Sequence, residues 1–186
     1  MTSTALERPS RTGVVASDAV RVLGVVSIVV AGVRFGSVEV ALFALVLLGL
    51  VIPRFLRVPS GLDIANGLTL LAAGWFAVVD LYARVGWLDI AAHTVANGVL
   101  AVMAVVLLGR LWPEHAELRD ARARTVLVIV TVAAGSLLGV LWEFGEWVGH
   151  TLVDDSINVG YDDTLGDLAA GMAGSLLGGL ALARRR

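Results

Sequence analysis

The sequence predicts an all-α polytopic membrane protein in which six transmembrane helices form one bundle. Composition is the first observation behind this prediction: 58% of the 186 residues are hydrophobic, 16% are charged, and the mean hydropathy is +0.85. A soluble domain of this size could not bury so much apolar surface, whereas a bilayer can cover it. The other two observations are six apolar stretches and an uneven distribution of arginine.

The residues before the first apolar stretch are polar and include proline, glycine and several serines and threonines. This composition predicts a disordered cytoplasmic tail over residues 1–17, followed by a transmembrane domain over residues 18–186. The first apolar run is not followed by a small-residue cleavage site, and further apolar segments come straight after it. We therefore expect the first helix to be retained.

Six apolar stretches follow in order along the chain. A transmembrane helix needs roughly 20 residues at a rise of about 1.5 Å each, and the last four stretches meet that length. The first two are shorter, so a hairpin that dips partway into the membrane stays open as an alternative to two full spans. The stretches cover residues 19–33, 38–52, 62–83, 88–112, 125–148 and 164–183.

Arginine is distributed unevenly between the two predicted sides of the membrane. All 14 basic residues are arginine, and with the N-terminus inside, only Arg34 and Arg84 fall in external segments. The other twelve lie in cytoplasmic segments, which is the positive-inside pattern. The asymmetry predicts that both termini are cytoplasmic.

Carboxylates and histidines in and directly beside the last three stretches lie at helical spacings, on the ends that this orientation places outside. Ionisable groups in apolar segments cost a few kcal/mol each, so they are rarely present without a use. Helices that enter from opposite sides here bring their ionisable groups to one depth, which predicts a shared outer-leaflet site. Its members are Asp89, His93, Glu143, Glu146, His150, Asp163 and Asp167.

This residue set suits a divalent metal. Residues three or four apart share a helix face, and carboxylates with imidazoles on facing helices form metal sites in helical bundles. All seven residues are therefore candidate ligands, for Zn²⁺, Mn²⁺ or Fe. Five carboxylates this close cannot all be ionised and unpaired in an apolar layer. A bound metal, bound protons and a water-filled vestibule stay open as solutions.

Several chemistries are excluded by the sequence. The chain has no cysteine, which excludes disulfides, thiolate ligands and a cysteine nucleophile. It also contains no phosphate-binding loop, dinucleotide fingerprint or nucleophile elbow. A basic patch with interleaved aromatic residues is missing too, so no nucleic-acid partner is expected.

A short repeat links the fifth and sixth stretches. The pentapeptide Gly-Ser-Leu-Leu-Gly occurs at residues 135–139 and again at 174–178. Small residues four apart let helix backbones approach closely. The repeat predicts direct contact between these two helices near the membrane midplane, and predicts that Gly139→Leu or Gly174→Leu destabilises the fold.

Three motifs resemble the YjdF-type family of uncharacterised bacterial inner-membrane proteins. They are Trp87-x-Asp89-x-x-x-His93, Trp142-Glu143-x-x-Glu146, and Asp163-Thr164-x-x-Asp167-Leu168 followed by Gly171, Gly174 and Gly178. The resemblance covers roughly residues 62–182 and implies a multi-span inner-membrane protein without implying an activity. The last helix also resembles the VanZ-like family, associated with glycopeptide resistance, although the glutamine and arginine of that pattern are missing.

The leading functional expectation is a metal-dependent membrane enzyme that acts on a lipid or lipid-linked envelope substrate. A metal could generate hydroxide or polarise a phosphoryl or carbonyl oxygen, with Glu143 or Glu146 as general base. The alternatives are a proton- or cation-coupled transporter and a non-catalytic membrane assembly protein. A polar pathway through the cytoplasmic halves would favour the transporter, and those halves are nearly all apolar.

Reporter fusions test the predicted orientation. A cytoplasmic reporter fused after Arg186 should be active, and a reporter inserted near Asp155 should behave as external, because of the arginine asymmetry. An external C-terminus would place the ionisable site in the other leaflet.

Overall fold

The computed structural model describes residues 10–111 and 121–184, and within them every regular element is an α-helix. Six helices are long and apolar enough to cross a membrane. The predicted all-α fold with six membrane-spanning helices is therefore confirmed. The helices are α1 (Arg11–Arg34), α2 (Ser37–Phe55), α3 (Ser60–Val78), the short α4 (Leu81–Arg84), α5 (Leu88–Leu111), α6 (Ala121–Leu152) and α7 (Tyr161–Arg184).

The helices form two compact units, Met1–Arg84 and Val85–Arg186. In the first unit, α1, α2 and α3 pack against one another, and α4 packs on α3. In the second unit, α5, α6 and α7 all touch, with the most extensive contact between α5 and α7. Every feature of the predicted site belongs to the second unit.

The first helix begins earlier than the sequence suggests. The hydroxyl of Ser10 accepts a hydrogen bond from the backbone N–H of Gly13 at 3.1 Å, which caps α1 at Arg11. Ser17 is buried within this turn, and its hydroxyl donates to the Gly13 carbonyl. Residues 11–17, which the sequence assigns to the tail, are therefore helical in the structure. Residues 1–9 of the predicted tail lie outside the described residues.

The third apolar stretch is divided into two helices. Helix α3 ends at Val78, and Asp80 adopts a positive φ of 57° before α4 begins. Left-handed backbone of this kind ends a helix, so the stretch predicted as one helix over residues 62–83 is interrupted. The fourth stretch ends at Leu111, and its predicted last residue, Trp112, lies outside the described residues.

A buried ion pair holds the first unit together. One guanidinium nitrogen of Arg21 on α1 donates to both carboxylate oxygens of Asp63 on α3, at 2.7 and 2.8 Å. The Nε–H of Arg21 donates to the carbonyl of Leu50 on α2 at 2.9 Å, so one side chain joins three helices. The side chains of Arg21 and Asp63 are only 12% and 9% exposed. An exposed carboxylate, Asp18, extends the network to Arg54.

Backbone contact between α5 and α7 organises the second unit. A Cβ built at Gly174 would meet the carbonyl oxygen of Thr94, and one at Gly178 would lie 2.8 Å from the carbonyl oxygen of Gly98. Because Thr94 faces Gly174 and Gly98 faces Gly178, the two helices run in the same direction. No side chain larger than hydrogen fits at these crossings.

The repeated pentapeptides do bring α6 and α7 into contact, as predicted. The contact is made by Gly135 of the first copy, where an added Cβ would meet the side chain of Ser175 in the second copy. The glycines of the second copy have a different partner, since Gly174 and Gly178 face α5. At Gly139 an added Cβ would lie 3.4 Å from Asn97 Oδ1, a contact that small shifts can relieve.

Replacing Asp63 by alanine should lower the free energy of unfolding by about 3–5 kcal/mol, because it leaves the buried Arg21 guanidinium with only the exposed Asp18 as counter-charge. Denaturant unfolding in detergent micelles measures the change. The matched control is Arg54→Ala, which breaks an exposed pair and should cost at most about 1 kcal/mol. Equal losses in the two variants would contradict the role assigned to the buried pair.

Gly174→Ala should destabilise the protein by about 1–3 kcal/mol or more, because the added methyl group displaces backbone rather than a flexible side chain. Gly139→Ala is the control, with a smaller cost expected from its looser surroundings. Thermal unfolding of the two variants in the same detergent makes the comparison. A larger loss at Gly139 would show that the α6 side of the repeat sets the packing.

Candidate functional site

The first turns of α5 and α7 and the last turns of α6 meet at one end of the second unit. Asp89 lies in the first turn of α5, and Asp162 and Asp163 lie in the first turn of α7. Acidic residues are favourable there because the unpaired N–H groups give a helix N-terminus partial positive charge. Since α5 and α7 are parallel, both N-termini point to the same end of the unit.

Three side chains form the tightest group of potential ligands in the described part of the chain. One ligand atom from each of Asp89, His93 and Asp167 lies within 4.8 Å of the other two. His93 Nε2 is 3.6 Å from Asp89 Oδ1 and 3.6 Å from Asp167 Oδ2. The group is largely enclosed, and Asp167 is only 5% exposed. An imidazole nitrogen is thus placed between two carboxylates from different helices.

Neither contact of His93 with these carboxylates is a direct hydrogen bond. A good hydrogen bond between nitrogen and oxygen spans about 2.7–3.2 Å, which is shorter than either contact of His93. Two ligands that each lie about 2.1 Å from a tetrahedral ion are roughly 3.4 Å apart. Small side-chain rotations would therefore suffice for Asp89, His93 and Asp167 to coordinate one cation.

The two glutamates of α6 border this group. Glu143 lies close to Thr164 in the first turn of α7, and its charge acts on those of Asp89 and Asp163. Glu146 lies close to Trp142 on its own helix, and its charge acts on that of Asp167. Both side chains are half-buried. The two glutamates therefore add negative charge beside the three-residue group.

Asp163 and His150 have partners in the loop between α6 and α7. Asp163 Oδ2 accepts a hydrogen bond of 2.8 Å from the side-chain amide of Asn158. The Nδ1–H of His150 donates to the carbonyl of Ile157 at 2.7 Å. His150 therefore holds the loop against the end of α6, and neither residue belongs to the three-residue group. Their predicted ligand roles stay predictions, as do those of the other five.

The same loop contains a further acid, Asp154. Hydrogen bonds from the side chain and backbone N–H of Ser156 hold the pKa of Asp154 below its usual value. The backbone bond is 2.9 Å long and forms a short turn. Asp154 therefore shapes the loop instead of adding to the acidic group.

Two neighbours of the α6 glutamates, Trp142 and Thr164, are not among the predicted site residues. Trp142 precedes Glu146 by four residues, so the helical i, i+4 rule could have identified it. Thr164 was quoted only as part of a motif, and its contact with Glu143 joins two helices, which no spacing rule on one helix predicts.

An apolar cavity of about 100 Å³ lies below the acidic residues, between α6 and α7. Asn97 of α5 forms part of its wall, and its side-chain amide donates to the carbonyl of His93 at 3.2 Å. The remaining lining residues are Gly135, Ser136, Gly139, Val140, Leu168, Gly171 and Met172.

A family model described as "Predicted membrane protein (DUF2238)" matches residues 17–186. The chain belongs to this family. The match includes all seven helices apart from the first turns of α1, and therefore the whole acidic end of the second unit. Comparisons with curated proteins and with solved structures gave no match. Membership agrees with the predicted multi-pass membrane protein, while the likeness to the VanZ-like family has no support.

Proposed function

We propose that this protein is a metal-dependent membrane enzyme whose divalent ion is held by Asp89, His93 and Asp167. The observation that supports this proposal is the close approach of one ligand atom from each residue, all within 4.8 Å of one another. One imidazole and two carboxylates form a donor set that suits Zn²⁺, Mn²⁺ or Fe²⁺.

The number of ligands favours catalysis over a purely structural role. Structural zinc sites are closed by four protein ligands, whereas catalytic sites use three and keep one position for water or substrate. A water bound there would have a lowered pKa and could attack an ester or phosphoryl bond near neutral pH.

Glu143 and Glu146 fit the role of general base or acid beside that ion. Each is a half-buried carboxylate whose charge acts on members of the three-residue group. A positioned carboxylate typically contributes about 10²–10⁴-fold to a proton-transfer step.

The substrate class follows from the placement of the site. The acidic end borders a membrane-spanning unit, so its substrate would be a lipid or a lipid-linked envelope molecule with a phosphoryl or carbonyl group near its head. With the N-terminus inside, as the arginine asymmetry favours, the site lies in the outer leaflet of the bacterial inner membrane. The motifs shared with the YjdF-type family are consistent with that location.

A transporter is less well supported by the second unit. Its other buried polar side chains in the described residues are Asn97, Thr131 and Ser175. Each of them donates a hydrogen bond to a backbone carbonyl of its own helix. A cation relay needs titratable or ligating groups beyond the entrance, and these three are committed to helix packing.

Metal titration of the purified protein tests the proposal. Zn²⁺ or Mn²⁺ should bind one ion per chain and raise the stability by about 2.7 kcal/mol at 100 times the dissociation constant. Asp167→Asn and His93→Gln should each weaken binding by more than roughly 100-fold, since loss of outer-shell partners alone costs about 10–100-fold.

Matched controls separate coordination from general negative charge. Asp155→Asn removes one exposed loop charge and should leave metal binding unchanged. Glu146→Gln should also keep the metal and instead lower turnover of any substrate that is found. If Asp167→Asn binds metal as well as the wild type does, the ion lies elsewhere and the proposal fails. If the wild type binds no metal, the acidic groups are protonated or hydrated and the proposal also fails.

A further inference from the structure

The cavity between α6 and α7 begins one helical turn below the acidic residues. On α6, Gly139 lies four residues before Glu143, and on α7, Gly171 lies four residues after Asp167. Residues four apart share a helix face, so the cavity continues the same face of the unit on which the carboxylates lie. A polar site and an apolar cavity are therefore contiguous within the second unit.

The cavity opens on the surface of the three-helix unit. Val140 and Met172 stand on either side of it, each 51% exposed. Its inner wall is formed by glycines and Asn97, because larger side chains are missing at residues 135, 139 and 171. A slender apolar molecule could enter from the side, between α6 and α7, without displacing a helix.

We propose that this cavity binds one hydrocarbon chain of the lipid whose head group reaches Asp89, His93 and Asp167. The inference rests on the proposed function for the lipid head group and adds the position of the hydrocarbon chain. An amphiphile is the occupant that fits both parts, since a polar head suits the ionisable residues and a methylene chain suits Gly139, Val140 and Met172. Ser136 and Met172 would then select for chain width.

Photo-crosslinking tests the position of the lipid's hydrocarbon chain. The full-length protein is placed in phosphatidylcholine nanodiscs that contain phosphatidylglycerol with a diazirine in the upper half of one acyl chain. The experiment is run with a chelator, so the result does not depend on a bound metal. Cross-links should map to Ser136, Val140 and Met172 and should saturate as the fraction of probe increases.

Variants that fill the cavity provide the second measurement. Ser136→Phe should reduce labelling roughly tenfold, which corresponds to about 1.4 kcal/mol, or about two methylene groups left unburied. Leu137→Phe places the same aromatic side chain on the neighbouring exposed face at nearly equal depth and should leave labelling unchanged. Met172→Trp against Ala173→Trp repeats the comparison on α7, in case Ser136→Phe does not fold.

The outcomes separate the chain site from the metal site. Labelling that rises linearly with probe and is equal in all four variants would mean contact with bulk lipid only, and would overturn the proposal.

Because the natural chain has no cysteine, Met172→Cys gives a unique thiol. Oxidative formation of a disulfide dimer through it would assign the cavity to a second copy and also overturn the proposal. Saturable labelling in a protein that binds no metal would support the chain site while the enzyme proposal fails.

Discussion

The close approach of α5 and α7 is the constraint on which the candidate site depends. Carbonyl oxygens of Thr94 and Gly98 occupy the space that side chains at Gly174 and Gly178 would need. This contact sets both the distance and the register between two parallel helices. Gly174 packs between Thr94 and Gly98, and Asp167 lies two turns before it, so the same contact places Asp167 level with the first turn of α5, within reach of Asp89 and His93. A shift along the interface would move Asp167 away from the two ligands on α5.

Parallel packing also explains why acids are tolerated at this end. The N-termini of α5 and α7 both point toward the carboxylates, and each contributes partial positive charge. That contribution amounts to roughly half an elementary charge per helix, which cannot balance five carboxylates. His93 supplies at most one further charge, so the arrangement still favours an added cation or bound protons.

Helix existence, helix order and the shared depth of the acids were predictable because each depends on local composition and periodicity. Features that depend on contacts between helices were not predictable from the sequence. In the sequence, Arg21 is one of twelve predicted cytoplasmic arginines. Its ion pair with Asp63 depends on the packing of α1 against α3. His150 follows Glu146 at helical spacing, yet the backbone of Ile157 takes its Nδ1–H. The break at Asp80 likewise depends on one backbone angle that apolar composition does not encode.

The two units satisfy a buried carboxylate in different ways, and the difference bears on function. In the first unit, one guanidinium nitrogen of Arg21 donates to both oxygens of Asp63, which serves stability. In the second unit, Asp167 is at least as buried, and its basic neighbour among the described residues is the imidazole of His93, at 3.6 Å. A purely structural site gains from a permanent counter-charge such as Arg21. Asp167 instead faces a titratable imidazole and further carboxylates, beside an apolar cavity. This difference supports the proposal of a cation site in the second unit.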